Sequence, residues 1–322
     1  MEMKQTRRSF VRTLFVASQA VVASQFLPAE VLADPAEPFT ADGLKFIVFG
    51  DWGRNGERDQ TEVAYQMVRA AKALSPRFII SVGDNFYEDG VADIHDPQWQ
   101  SSFERVYADP ALQVPWYVIL GNHDYRGNCD AQLAYGSISR RWQMPARYFQ
   151  QSHRLEGGTT ADFFYLDTSP MLGMYHDDHR MGPQIRAQDV SRQLVWFKAA
   201  LAASTAQWKI VIAHHPIYSG GIHSDTAELV QNILPLLHEH KVQVYFNGHD
   251  HDLQHLVAGK LNLFCSGAGS EVRFTFNTQF TKFSKAIPGF TTVNLTENTM
   301  HVRMIDHLGR QLYKIKIPRE TA

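Results

Sequence analysis

Short apolar runs that each end in a compact polar motif are the feature that most restricts how this sequence can fold. Five of the runs are followed directly by "GDWG", "GDNFY", "GNHD", "HHP" and "GHDH". Runs without polar interruptions are typical of strands that are buried on both faces, and helical stretches lie between several of them. This alternation predicts an α/β fold, and no repeat or Pro/Gly-rich linker divides the chain.

The apolar runs predict strands at 44–49, 77–82, 116–120, 163–166, 208–213, 242–246 and 261–266. Helix-like stretches predict helices at 61–74, 193–204 and 227–240. After residue 289 polar and apolar residues alternate, which predicts antiparallel strands with one solvated face. These three segments are 290–295, 299–305 and 311–317.

Polar side chains of the kinds that bind metal ions follow five of the predicted strands. In chain order they are Asp51, Asp84 with Tyr87, Asn122 with His123, His214, and His249 with His251. Ligands bind outside the carboxyl ends of strands in open α/β sheets, so we expect these side chains to converge at one end of one sheet. Each residue alone could be a helix cap, a turn residue or a core imidazole, but their joint placement predicts a metal site.

Taken in order, "GDWG", "GDNFY", "GNHD", "HHPIYSGGIH" and "GHDHDLQ" resemble the motifs of the metallophosphoesterase superfamily. More specifically, they resemble the small purple acid phosphatases, also called tartrate-resistant acid phosphatases. The similarity extends from about Lys45 to Pro318. It implies a single domain over 34–322 with a four-layer αββα sandwich, in which two mixed sheets are flanked by helices. The metal site would lie at the C-terminal ends of the strands.

The resemblance implies a centre with one ferric and one divalent ion. The ferric ligands would be Asp51, Asp84, Tyr87 and His251, and the divalent ligands would be Asp84, Asn122, His214 and His249. Most members of the superfamily have a ligand histidine at the position of Gly53, and Tyr87 replaces it here. A phenol with a pKa of about 10 ionises at neutral or acid pH only against a strongly Lewis-acidic ion, which favours Fe(III). Fe, Zn and Mn all accept the second ligand set, so the divalent metal stays open.

The resemblance also implies an acid phosphatase that hydrolyses phosphate monoesters by attack of a metal-activated hydroxide. His123 and His223 match two family histidines that contact phosphate or protonate the leaving alkoxide, and they are the catalytic candidates. The expected substrates are small phosphomonoesters, with phosphoproteins and nucleotides as further candidates. Two alternatives stay open: a phosphodiesterase or nucleotide hydrolase on the same dimetal core, and a non-catalytic metal- or phosphate-binding protein.

The first 33 residues resemble an export signal. "TRRSFVR" precedes the apolar stretch "TLFVASQAVVASQFL" and the small residues "VLA", and the pair Arg7 and Arg8 resembles a twin-arginine motif. The alternative is a chance pair before a membrane anchor, but Gln19 and Gln25 make the stretch too polar for a comfortable spanning helix. We therefore expect a periplasmic or secreted protein that uses the twin-arginine machinery and has no stable membrane anchor after cleavage. The formal net charge of −2 favours no nucleic-acid partner.

Two further features of the sequence are its pair of cysteines and the segment after "LDT". Cys129 and Cys265 do not match the family's cysteine positions, so one disulfide and two free thiols are both open. The segment after "LDT", which contains His176 and His179, is predicted to be a mobile solvated loop rather than an additional metal site.

Overall fold

The computed structural model describes residues 43–319, and the predicted export signal lies outside them. In chain order, its strands are β1 (Leu44–Phe49), β2 (Phe78–Ser81), β3 (Trp116–Val118), β4 (Trp142–Gln143), β5 (Phe149–Arg154), β6 (Thr160–Tyr165), β7 (Trp208–Ile212), β8 (Val244–Asn247), β9 (Leu253–Ala258), β10 (Leu261–Ser266), β11 (Thr281–Lys285), β12 (Gly289–Leu295), β13 (Thr299–Asp306) and β14 (Gln311–Pro318). The α-helices are α1 (Gln60–Leu74), α2 (Cys129–Ala134), α3 (Gly182–Arg186), α4 (Val190–Ala203), α5 (Ala227–Asn232) and α6 (Leu234–Glu239).

The strands form two seven-stranded sheets. Sheet A has the order β14-β13-β12-β1-β2-β3-β4, and sheet B has the order β11-β9-β10-β8-β7-β6-β5. Both sheets are mixed. In sheet A the pairs β1–β2, β2–β3 and β3–β4 are parallel, and in sheet B the pairs β6–β7, β7–β8 and β8–β10 are parallel. The remaining pairs in both sheets are antiparallel. The expectation of one sheet was therefore wrong, whereas the two mixed sheets implied by the family resemblance are confirmed.

Three apolar cores separate the layers. Alternate side chains of β1 point to opposite faces of sheet A: Phe46 and Val48 pack between the sheets, and Ile47 and Phe49 pack on the side of α1. On the outer face of sheet B, residues of α4, α5 and α6 cover Val211 and neighbouring side chains. The order of layers is helix, sheet, sheet, helix, as the resemblance implied.

Several predicted elements differ from the observed ones. The single helix expected at 227–240 is two helices, α5 and α6, because Pro235 lies in the first turn of α6 and cannot donate the hydrogen bond that would continue α5. The sequence pattern missed β5 and β11, which are edge strands with exposed polar residues. It also missed β9, in which the buried polar residues Gln254 and His255 interrupt the apolar run.

The C-terminal strands β12, β13 and β14 are antiparallel, as their alternating pattern predicted. The expected solvated face is absent from β12, in which every residue is buried. This strand lies between β1 and β13 inside sheet A, so Phe290 packs on the helical side and Val293 packs between the sheets. Within residues 43–319, none of the helices is both long enough and apolar enough to cross a bilayer.

Candidate metal centre

The carboxyl ends of strands from both sheets meet at one place. Sheet A contributes the residues after β1, β2 and β3, and sheet B contributes those after β7 and β8. The seven predicted metal ligands, all of them buried, are Asp51, Asp84, Tyr87, Asn122, His214, His249 and His251. Ligand atoms of Asp51, Asp84 and His214 all lie within 4.8 Å of one another. The structure thus brings together every residue that the sequence placed at the site.

Three of these residues have backbone conformations that L-amino acids rarely adopt. The φ angles of Asp51, Asp84 and His249 are 61°, 49° and 67°. Residues in this left-handed region cluster at functional sites, where the surrounding structure holds them. The turns are also tightly packed, because a Cβ atom at Gly248 would lie 2.3 Å from Oδ2 of Asp51. The strand ends are therefore fixed by their contacts with one another.

The hydroxyl group of Tyr87 contacts three other predicted ligands. It lies 3.1 Å from Oδ1 of Asp51, 3.0 Å from Oδ2 of Asp84 and 3.0 Å from Nε2 of His251. At Gly53 a Cβ atom would lie 1.9 Å from the carbonyl oxygen of Asn85, so that turn has no room for a side chain. The backbone N–H of Tyr87 donates to the Gly53 carbonyl oxygen at 2.8 Å. The turn at Gly53, which only glycine fits, thus also positions the phenol of Tyr87.

The electrostatics of this cluster favour a bound cation. Burial raises the pKa of Asp51 and that of Tyr87 well above their usual values. Burial acts on Asp84 in the same direction, but the imidazoles of His214, His123 and His249 together outweigh burial and hold the pKa of Asp84 well below its usual value. Because anions withdrawn from water are costly unless a cation pairs with them, this group of buried acids fits a cation-binding site.

The orientation of His214 supports the same conclusion. Its Nδ1 lies 2.9 Å from the carbonyl oxygen of Val82, which can only accept a hydrogen bond, so Nδ1 carries a proton. Its Nε2 faces Oδ1 of Asn122 at 3.2 Å and Oδ1 of Asp84 at 3.4 Å. Burial lowers the pKa of His214, but Asp84, Asp51 and the Val82 carbonyl oxygen together outweigh burial and raise the pKa to about 9. A cation among these three ligand atoms would satisfy them all, and the donor set fits a metal ion.

His215 is close to the cluster but is not available as a ligand. Its ring lies among those of His214 and His249. However, Nδ1 of His215 is 2.8 Å from Oγ1 of Thr168, and Nε2 is 3.1 Å from the hydroxyl group of Tyr175. Both ring nitrogens are engaged by the protein, so His215 supports the site rather than binding metal.

Both catalytic candidates line a cavity of about 580 Å³ above the cluster. The backbone N–H of His123 donates to Oδ1 of Asp84 at 2.8 Å, and Nδ1 of its ring lies 2.6 Å from the Glu88 carbonyl oxygen. His223 lies at the exposed mouth of the cavity, with its backbone N–H held by Oδ1 of Asp250 at 3.0 Å. Burial lowers the pKa of both imidazoles.

Three arginines at the site were not identified from the sequence. Arg54 is buried and stacks over the ring of Tyr87, with its guanidinium carbon 3.9 Å from the ring centre. Arg126 and Arg273 line the cavity. Arg126 could have been noticed, because it follows "GNHD" within one turn. Arg273 carried no local signal, since a β-bridge between Gly221 and Thr275 brings it to the site.

The segment after "LDT" is packed against the protein, and the prediction of a mobile solvated loop was wrong. Leu172, Tyr175, Met181 and Ile185 are buried and belong to the core on the helical side of sheet A. Nε2 of His176 lies 2.9 Å from the carbonyl oxygen of Pro170. Apolar residues at intervals along the segment anchor it, so this segment forms a fixed wall of the cavity.

Both cysteines are free and buried, which decides between the two alternatives left open by the sequence. The thiol of Cys265 donates to the carbonyl oxygen of Asp250 at 3.1 Å, and the thiol of Cys129 donates to that of Asp124 at 3.4 Å. Each thiol therefore supports a turn next to the cluster.

The class of protein follows from the family model that the chain matches. Residues 44–253 match the family model of the calcineurin-like phosphoesterases. The chain is 36% identical over 322 residues to purple acid phosphatase 4 of Arabidopsis thaliana, a match that covers 95% of this chain and 93% of the relative. It is also 36% identical over 305 residues to tartrate-resistant acid phosphatase type 5 of Sus scrofa, covering 86% and 88%. The chain belongs to the purple acid phosphatases, and it is an acid phosphatase with the residues for a dinuclear metal centre.

Solved structures share the fold. The structure described as "GAP50 the anchor in the inner membrane complex of Plasmodium" has a TM-score of 0.78 and 25% sequence identity, and the match covers 87% of this chain and 90% of that one. Purple acid phosphatase PPD1 from yellow lupin (Lupinus luteus) has a TM-score of 0.66 and 15% identity, and the match covers 89% of this chain and 55% of that one. At that identity the second match supports the fold alone.

Proposed function

We propose that this chain is an exported acid phosphatase that hydrolyses phosphate monoesters at a centre of one Fe(III) and one divalent ion. The ferric ion would be held by Asp51, Asp84, Tyr87 and His251, and the divalent ion by Asp84, Asn122, His214 and His249. The observation that carries this proposal is the contact of the Tyr87 hydroxyl group with two carboxylates and an imidazole. When bound, two such ions polarise phosphoryl oxygens and lower the pKa of water.

The two oxygens of Asp84 support its role as the bridge between the ions. Oδ2 faces the hydroxyl group of Tyr87 at 3.0 Å, on the side of the ferric ligands. Oδ1 faces Nε2 of His214 at 3.4 Å, on the side of the divalent ligands. The carbonyl oxygen of Val82 fixes the proton of His214 on Nδ1, which leaves the lone pair of Nε2 for a metal.

His123 is the proposed proton donor to the leaving alkoxide. Its Nδ1 is held by the carbonyl oxygen of Glu88, so Nε2 is the nitrogen that would exchange a proton with the substrate. We expect His123→Ala to retain both metals and to lose roughly 10²–10⁴-fold in turnover for poor leaving groups. Good leaving groups need no proton and should lose less. Equal losses for all leaving groups would remove this role.

Metal analysis combined with a visible absorption spectrum tests the centre. We expect two metal ions per chain, one of them iron, and a charge-transfer band from a Tyr87 phenolate. A chromogenic phosphomonoester and a matched diester should be compared on the same preparation. Faster hydrolysis of the diester would favour the phosphodiesterase alternative, and absence of turnover with both would favour a binding protein. Full iron occupancy without a visible band would contradict the ligand assignment.

Export is the part of the proposal that concerns residues outside 43–319. A twin-arginine translocase carries folded proteins, so the metals would be loaded in the cytoplasm before export. This route suits the protein because metal binding is coupled to folding. We expect the double substitution Arg7→Lys with Arg8→Lys to trap active, metal-loaded precursor inside the cell. Normal export of the double variant would indicate the general secretory route.

A further inference from the structure

Each catalytic candidate has an arginine beside its imidazole ring. Nη1 of Arg126 lies 3.0 Å from Nδ1 of His123, and Nη1 of Arg273 lies 3.1 Å from Nε2 of His223. The two arginines come from separate parts of the chain. Arg126 ends the short 3₁₀ turn after β3, whereas Arg273 lies two residues before Thr275, whose isolated β-bridge to Gly221 brings it close to His223.

The two pairs contact opposite sides of the proposed centre. The ring of His123 lies 4.4 Å from that of Tyr87, and the ring of His223 lies 4.1 Å from that of His249. Tyr87 and His249 are proposed ligands of different metals. Both arginines also line the cavity, so their remaining N–H groups are available to a molecule bound there.

Among residues 43–319, neither guanidinium has a carboxylate within 4.0 Å, in contrast to the more deeply buried arginines, although Arg126 lies close enough to Glu88 to help lower the pKa of that carboxyl. Arg54 pairs with Glu88 and Glu271, and Arg141 pairs with Glu104. Arg126 instead has a buried Nε without a hydrogen-bond partner in the described part of the chain. Because an unpaired buried donor is costly, these arginines are suited to an anion that arrives as a ligand.

The cavity is also lined by the carboxylates of Asp225 and Glu228, which make no ion pair within 4.0 Å with either arginine and are held by backbone donors instead. Oδ1 of Asp225 accepts from the backbone N–H of Ser219 at 2.9 Å, and Oε1 of Glu228 accepts from that of Gly173 at 3.2 Å. These hydrogen bonds hold two of the loops that line the cavity. Nη1 of each arginine faces an imidazole, so the edge formed by Nε and Nη2 is the one that would bind phosphate oxygens in a bidentate manner.

We propose that Arg126 and Arg273 bind the non-bridging oxygens of the substrate phosphoryl group, one from each side of the centre, and that Arg273 also orients the imidazole of His223. This inference rests on the proposed function, because it takes the metal centre to lie at the bottom of the same cavity. It adds two substrate-binding residues to the histidines that the sequence identified.

Inorganic phosphate, the product of the reaction, is the probe for this proposal. Its dissociation constant should be measured on the metal-loaded protein for Arg126→Gln, Arg273→Gln and the double variant. We expect each single substitution to weaken phosphate binding roughly ten- to a hundredfold, the usual loss for a hydrogen bond to a charged group. Arg126→Lys and Arg273→Lys keep the charge but not the fork, so they should recover part of the loss.

Arg192→Gln is the matched control, because this arginine is exposed on α4 and does not line the cavity. It should leave phosphate binding unchanged. Metal content, the visible band and the unfolding temperature should be unchanged in all glutamine variants, and the lysine variants should repeat the ranking if a glutamine variant folds poorly. A fall in kcat with an unchanged phosphate dissociation constant would overturn the inference, since the arginines would then act only by positioning histidine. Arginine-dependent phosphate binding by a protein that holds no metal pair would instead overturn the proposed function and retain the inference.

Discussion

Two sets of buried carboxylates lie next to each other below the cavity, Asp124 by itself and Asp51 with Asp84. They differ in how the chain stabilises them. Asp124 accepts hydrogen bonds from five N–H groups, which belong to Asn85, Phe86, Gly121 and Gln132. Burial raises the pKa of Asp124 to about 7, and these donors keep it from rising further. The first set is therefore stabilised from within the protein.

Asp51 and Asp84 form the second set. Among residues 43–319, each accepts from one backbone N–H, that of His249 or His123, and the two share the single phenolic proton of Tyr87. Oδ1 of Asp84 also faces Nε2 of His214 at 3.4 Å. A buried carboxylate that the chain surrounds with donors organises a turn, whereas carboxylates that share one proton require a cation. Asp124 therefore belongs to the architecture of the site, and Asp51 and Asp84 belong to its metal-binding part.

The largest effect is expected at the second set. Asp84→Asn should remove the proposed bridge, so we expect loss of metal and a fall in turnover of about 10³-fold or more, which is roughly 4 kcal/mol of barrier. The unfolding temperature of the metal-free protein should fall, because the buried imidazole of His214 would lose the carboxylate that raises its pKa to about 9. Metal content, turnover and thermal unfolding measure the three quantities. Retention of two metals and normal turnover would show that Asp84 is not shared.

Asp124→Ala should lower stability more than it affects metal binding. Five donors would lose their acceptor, so the free energy of unfolding should fall by about 3 kcal/mol. The protein that remains folded should keep its metals. Urea unfolding followed by metal analysis of the folded fraction tests this, with Asp130→Ala as the control because that side chain is largely exposed. Loss of metal from stable protein would mean that the two sets are not separable.

The smallest effect is expected for Tyr87→Phe, which leaves both carboxylates in place. We expect the visible band to disappear and turnover to fall about tenfold, which corresponds to 1.4 kcal/mol. Tyr107→Phe is the control, because this phenol is buried in the apolar core and accepts from Gln60 at 3.3 Å. The band should persist in the control. If it persists in Tyr87→Phe as well, another residue supplies the chromophore.

Much of the site could be predicted because its signals are local. Asp51, Asp84 and His214 each follow an apolar run directly, and the end of a buried strand can be read from consecutive residues. The predicted strand at 261–266 has the observed bounds for the same reason. Gly53 and Tyr87 are a further local signal. The turn at Gly53 has no room for a side chain, and Tyr87, which follows the next strand, supplies a phenol instead.

The signals that failed were those that depend on distant partners. β5 and β11 are strands because each pairs with one neighbour at an edge of sheet B, and their polar sequences do not indicate this. The segment after "LDT" was expected to be mobile, but residues such as Tyr175 and Ile185 pack into a core formed largely by residues of sheet A and α1. Burial depends on what the rest of the chain places opposite a residue.

The sequence by itself determined which side chains reach the ends of the strands, because the alternation of β-strands and the turn at a glycine involve neighbouring residues. Only the tertiary structure decided that these ends come from two sheets, and that Arg273 lies beside His223 although they are far apart in the chain. Hydrogen-bond pairing and core packing join residues without regard to their separation in sequence. For that reason the predicted ligands could be read from motifs, whereas the arginines that face the cavity could not.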